Sequence, residues 1–122
     1  MRVGGLFGRQ AHVRRVERVD DRWDADVRVL EALRELGTDP ARPHGVRHFL
    51  YVPDRFGAMQ VSATLAEEDW ETSVQESEDV CLVVAARSQA LLEPLVRRTR
   101  MRLESLAAEY GGQYDGWEVE TA

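Results

Sequence analysis

Apolar and polar positions along the chain change period several times, and each change marks an element. From Asp20 or Asp21 to Leu36 the period is helical. Trp23, Val29, Leu30, Leu33 and Leu36 form one broad apolar face, with Arg28, Glu31 and Glu35 turned to water. The leading aspartates suit a helix N-terminus, and Gly37 with Thr38-Asp39-Pro40 stops the helix. Ala41 to Gly45 reads as a loop. Val46 to Val52 alternates as a strand, with Val46, His48, Leu50 and Val52 on one face and Arg47, Phe49 and Tyr51 on the other. Both faces are substantially apolar, as a central strand requires.

Pro53-Asp54 opens a second helix over Arg55 to Glu67, with Phe56, Met59, Val61 and Leu65 as expected core contributors; Gly57 weakens it. Trp70, Thr72 and Val74 then alternate with Glu71, Ser73 and Gln75, which predicts a strand with one wet face. Glu76 to Asp79 makes a turn, and Val80 to Ala86 is a continuous apolar run expected to be buried on both faces. The last helix starts near Glu93, since Pro94 fits the first helical position. Leu95, Val96, Thr99, Leu103, Leu106, Ala107 and Tyr110 share one side of it.

Gly111-Gly112 ends that helix, and Gln113 to Glu120 closes the chain as a strand. Strict alternation would set Tyr114 and Trp117 on opposite faces. One extra bulged residue at Asp115-Gly116 brings both to the same face beside Val119, where full burial is expected. From Val46 onward the order is strand–helix–strand–strand–helix–strand behind an extra helix. Right-handed crossovers then give an α+β fold, a ferredoxin-like βαββαβ antiparallel sheet with helices against one face. Residues 1–19 sustain no period and read as a flexible arm, with a short added strand around 11–19 as the alternative. Residues 20–122 form a single domain.

Composition changes this picture little. The chain has 122 residues, 43% hydrophobic and 31% charged, as in an ordinary globular domain. A net charge of −6 opposes generic binding to nucleic acid or anionic membrane. Cys81 is the only cysteine, in an apolar run where it reads as a small buried hydrophobe rather than a nucleophile. No signal sequence or membrane span is legible, so a cytoplasmic protein is the simplest expectation.

Candidate chemistry is sparse. His12, His44 and His48 offer no metal spacing, and no cofactor motif is present. His48 in mid-strand is the one histidine that could make polar contacts at a sheet surface, against the alternative of a satisfied, half-buried imidazole. Arg97, Arg98, Arg100 and Arg102 divide between two helix flanks. With Glu93 and Glu104 each one turn away, they read as a solvated charged face. Carboxylates from Glu67 to Asp79 gather around the second strand, where they deter edge aggregation or could meet a basic partner.

The helix ending Gly37-Thr38-Asp39, the strand Val46-Arg47-His48 and the close from Leu106 to Trp117, Tyr114-Asp115-Gly116-Trp117 above all, resemble the RraB family, regulators of ribonuclease E activity. The similarity covers about residues 20–120. It implies a ferredoxin-like fold and a non-enzymatic bacterial protein that binds ribonuclease E through its non-catalytic scaffold region and restrains RNA cleavage. Well-known members carry a long acidic tail after this point, whereas this sequence ends at Ala122 and adds an arginine-bearing N-terminal segment. His48, Tyr114, Asp115, Gly116 and Trp117 are the motif positions and the possible interaction residues. Two other readings stand beside this one. The sheet face could bind RNA through Phe49, Tyr51 or Trp117 as stacking platforms, or His48, Cys81 and the acidic cluster could form a ligand or catalytic site.

Overall fold

A computed structural model describes residues 4–5, 8–10 and 22–120, with side chains described from Asp26 onward. Gly4–Gly5 (β1) pairs antiparallel with Gly8–Gln10 (β2); the strand considered around 11–19 lies outside the described residues. The remaining elements follow as α1 (Arg22–Glu35), β3 (His44–Val52), α2 (Arg55–Glu67), β4 (Glu71–Glu76), β5 (Cys81–Gln89), α3 (Glu93–Glu109) and β6 (Gln113–Val119). Four strands form one antiparallel sheet in the order β4-β5-β3-β6. This is the ferredoxin-like arrangement, in which the two βαβ units interleave so that their first strands, β3 and β5, lie side by side at the centre.

Local chemistry explains where the helices end. Gly37 (φ +84°) and Gly111 (φ +75°) take the left-handed conformation that an L side chain disfavours. At both ends the next amide reaches back five residues, Thr38 N to Leu33 O at 3.0 Å and Gly112 N to Ala107 O at 2.8 Å, which satisfies carbonyls left over by the helix. Asp69 (φ 70°) plays the same part after α2, with Trp70 N donating to Leu65 O at 3.0 Å. At the start of α2 the Asp54 carboxylate accepts from Gly57 N at 2.7 Å as a cap.

The core lies between the helices and the sheet face carrying Val46, His48, Leu50 and Val52, with Val61, Leu65, Val96 and Leu103 pressed onto it. Several expectations are corrected. Phe56 is 71% exposed and Met59 48%, because α2 is rotated so that Gly57, Ala58, Val61 and Leu65 face inward. Gly57 is what permits this: a Cβ there would stand 3.4 Å from Tyr110 Cβ and 3.3 Å from the Asp54 carboxylate. Leu36 falls beyond the last helical residue and is exposed. β5 runs three residues further than its apolar run. Its Leu82, Val84 and Ala86 are only half-buried, since the helices lie on one face and cannot cover both.

The closing strand is bulged as expected. Trp117 pairs with His48 and Tyr114 with Leu50, so Asp115 and Gly116 together oppose the single residue Phe49. Gly116 (φ +106°) absorbs the kink. Tyr114, Trp117 and Val119 all reach the core.

Candidate functional site

The bulge delivers Tyr114 and Trp117 to His48, and the three rings meet inside the molecule. His48 is 3% exposed, and its Nδ1 lies 2.8 Å from the Tyr114 hydroxyl. Its ring sits 6.3 Å from that of Trp117 in a stacked arrangement, and 5.3 Å edge-on from that of Trp70. Burial pushes the His48 pKa down to about 3, helped by the nearby charges of Arg87 and Arg100. The imidazole is therefore neutral at physiological pH, and its Nε2 has no hydrogen-bond partner among the described residues. Both readings of His48 are corrected: position 48 alternates onto the helix-facing side, so the ring is neither at a sheet surface nor half-buried but 3% exposed.

A buried ion pair closes the same cluster from above. Arg100 of α3, 1% exposed, donates to both oxygens of Asp26 of α1, at 2.6 Å from Nε and 2.8 Å from Nη2. Trp117 Nε1 donates to Asp26 at 3.1 Å, and Arg100 Nη1 reaches Glu104 at 3.0 Å. The guanidinium also stands 4.9 Å above the Tyr114 ring. Burial opposes the charge of Arg100, but the hydrogen bonds and nearby negative charge outweigh it and hold the pKa above the ordinary arginine value.

The helical spacing of the arginines does not reveal this network. It predicts Arg100 on a solvated face; the bond to Glu104 exists, but the side chain points inward. The signal was available in helical phase. Asp26 lies three, four and seven residues before Val29, Leu30 and Leu33, and Arg100 lies among Val96, Thr99 and Leu103 on the apolar side of α3. A charge on the buried stripe of each of two helices is a candidate pair.

Of the five motif positions, then, His48, Tyr114 and Trp117 are brought together in the core, and Asp115 and Gly116 form the bulge that puts them there. The stacking platforms are likewise withdrawn: Trp117 is 2% exposed, Phe49 5%, and only Tyr51 is half-buried. Cys81 is buried opposite Val52, four residues along β3 from His48. Among the described residues no three His, Cys, Asp or Glu side chains converge to hold a metal ion. No described helix is long and apolar enough to cross a membrane.

Accessible polar chemistry lies elsewhere. A groove of about 570 Å³ at one end of β3, β5 and β6 is lined by Arg47, Arg87, Asp69, Glu71, Glu118 and Glu120. Arg47 Nη2 contacts Glu118 at 2.5 Å, and the Arg87 guanidinium lies 3.8 Å over the Trp70 ring, which forms the groove's link to the buried cluster. On α3, Arg97 pairs with Glu93 at 2.7 Å, the one-turn pair expected, whereas Arg102 reaches across to Glu68 at the end of α2, a pair the helical spacing does not predict.

Fold and site together define a ferredoxin-like α+β domain whose distinctive aromatic motif holds the bulged strand, the sheet and two helices in register. The chain belongs to the RraB family: the model for that family, regulator of ribonuclease activity B, matches residues 23–119, from α1 to the end of β6. The family is one of regulators of ribonuclease activity. No curated protein matches the chain.

Proposed function

We propose that this chain is a non-catalytic protein-interaction module of the bacterial cytoplasm that restrains a ribonuclease E-type nuclease by binding it. The family match over residues 23–119 carries this reading. Two further observations support it. The groups that could have served chemistry, His48 and Cys81, are sealed in the core away from each other, and the surface is dominated by carboxylates in a chain of net charge −6. Negative potential speeds encounter with a basic protein partner and opposes RNA.

Capture from a bacterial extract tests the proposal, using chains with and without residues 1–19. Enrichment of a ribonuclease or of another component of an RNA-degrading complex is the expected result; recovery of neither counts against it. Direct RNA binding is the competing outcome. It would appear as a gel shift of single-stranded RNA that weakens steeply with salt, and burial of Trp117 and Phe49 argues that no such shift will be found.

A further inference from the structure

The two edges of the sheet are built differently. β6 is bulged and buried along most of its length, and a bulge twists an edge away from new partners. β4 is regular, pairs among the described residues only with β5, and is exposed or half-exposed at every residue from Glu71 to Glu76. In an antiparallel pair alternate residues turn their N–H and C=O outward, so β4 offers one row of backbone donors and acceptors to a further strand.

What would dock there is limited by charge and by shape. Glu67, Asp69, Glu78 and Asp79 flank β4 and Glu71 opens it, and none of the five is ion-paired with a described residue. A second copy laid antiparallel on this edge would set acidic ends against each other, which disfavours self-pairing. A basic strand would meet the opposite situation. The helix side adds an apolar requirement. Arg55 reaches Glu76 at 3.6 Å, and Ser62 Oγ lies 2.6 Å from Thr72 Oγ1, which fixes the flank of α2 that overlooks β4. Met59 and Ala66 share that flank by helical phase, and both are exposed. From Phe56 to Ala66 the helix has no charged residue. An added strand would thus lie beneath the uncharged stretch of this flank from Met59 to Ala66, past Arg55 at its start, on one side and beside Glu71, Ser73 and Gln75 on the other.

We infer that the outer edge of β4, roofed by Met59 and Ala66 of α2, docks an extended partner segment in which apolar and basic residues alternate. Apolar side chains would turn toward Met59, and arginines or lysines toward Glu71 and the neighbouring carboxylates. Main-chain bonds would supply affinity and the alternation would supply selectivity. That this segment belongs to the regulated nuclease rests on the function proposed above; its chemistry does not.

The test uses the full chain labelled with nitrogen-15 and an octapeptide of alternating arginine and valine. Amide signals of Glu71–Glu76 should shift on titration, and amides on the outer edge of β4 should exchange more slowly. Met59→Glu and Glu71→Arg, both at exposed positions, should each weaken binding at least tenfold. A peptide of four arginines followed by four valines, equal in charge, should bind at least tenfold more weakly. Equal binding of the two peptides, shifts confined to α3 or to the groove residues Arg47, Glu118 and Glu120, or β4 shifts that grow with the concentration of the chain alone would overturn the inference; the last would assign the edge to a second copy. Nuclease inhibition that survives Glu71→Arg, when that variant has lost the peptide, would show that the edge segment does not belong to the nuclease while leaving the regulatory function standing. Peptide binding without any effect on a nuclease would keep the edge and remove that function.

Discussion

At the scale of single residues, His48 ties stability to pH. An unfolded chain holds this imidazole near its ordinary pKa of 6.5, while the fold pushes it down to about 3. The unfolded state therefore binds a proton that the folded state refuses between these values. Stability is full above pH 6.5 and is lost as pH falls toward 3, at about 1.4 kcal/mol per pH unit from this one group. Urea unfolding should show a loss of about 0.7 kcal/mol from pH 7.0 to 6.0 and about 1.2 kcal/mol from pH 6.0 to 5.0 from this group, and His48→Gln should be flatter by about the same amounts. Arg100 and Asp26 permit a second comparison. Arg100→Met alone strands a buried carboxylate and should cost about 3–5 kcal/mol. The double variant Asp26→Leu/Arg100→Met should recover much of that loss, and denaturant midpoints of the four combinations would reveal the coupling. The sequence shows that position 48 shares a face with Val46, Leu50 and Val52, but not that this face is the buried one or how deep the ring lies. Burial of a histidine depends on Trp70 and Trp117, which lie far from it in the sequence and reach it only through sheet register.

At the scale of elements, the sequence was most legible where backbone chemistry is local. Gly37, Asp54, Pro94 and Gly111 mark helix ends within a residue or two, because caps and left-handed positions depend on immediate neighbours. The bulge at Asp115-Gly116 was legible too, from the mismatch between strict alternation and two aromatics that both need a core. The inner face of α2 was not. Phe56 and Met59 are larger and more apolar than Gly57 and Ala58, yet the smaller pair faces inward, since close approach to Tyr110 rewards the absence of bulk. Gly112 shows the same rule at its sharpest. A Cβ there would stand 2.0 Å from the Tyr51 carbonyl oxygen, which is fixed backbone in the central strand. Gly112→Ala should therefore destabilise the protein by about 3 kcal/mol or more, and a thermal melt would show it. Gly37→Ala meets no atom within 4 Å and should cost only the strain of its positive φ, about 1 kcal/mol.

At the scale of the whole molecule, the motif that marks the family and the surface that would meet a partner are different parts of the protein. Tyr114 and Trp117 are distinctive because the fold needs them: they pin β6, β3, α1 and α3 through His48, Asp26 and Arg100. Sequence pattern therefore reveals the family more readily than the interface, since core positions carry strong side-chain constraints and an exposed strand edge carries few. The charge distribution, legible from the start, gains meaning only once β4 is known to be the open edge. Regulation by binding requires that the folded chain itself, without catalysis, slows a nuclease. The direct measurement is the initial rate at which a purified ribonuclease E-type enzyme cleaves a fluorescent single-stranded RNA as the chain is titrated in. A rate that falls several-fold and saturates near one chain per nuclease protomer, unaffected by His48→Gln in a folded variant, is the expected result. An unchanged rate in the presence of a large excess of folded chain would contradict it.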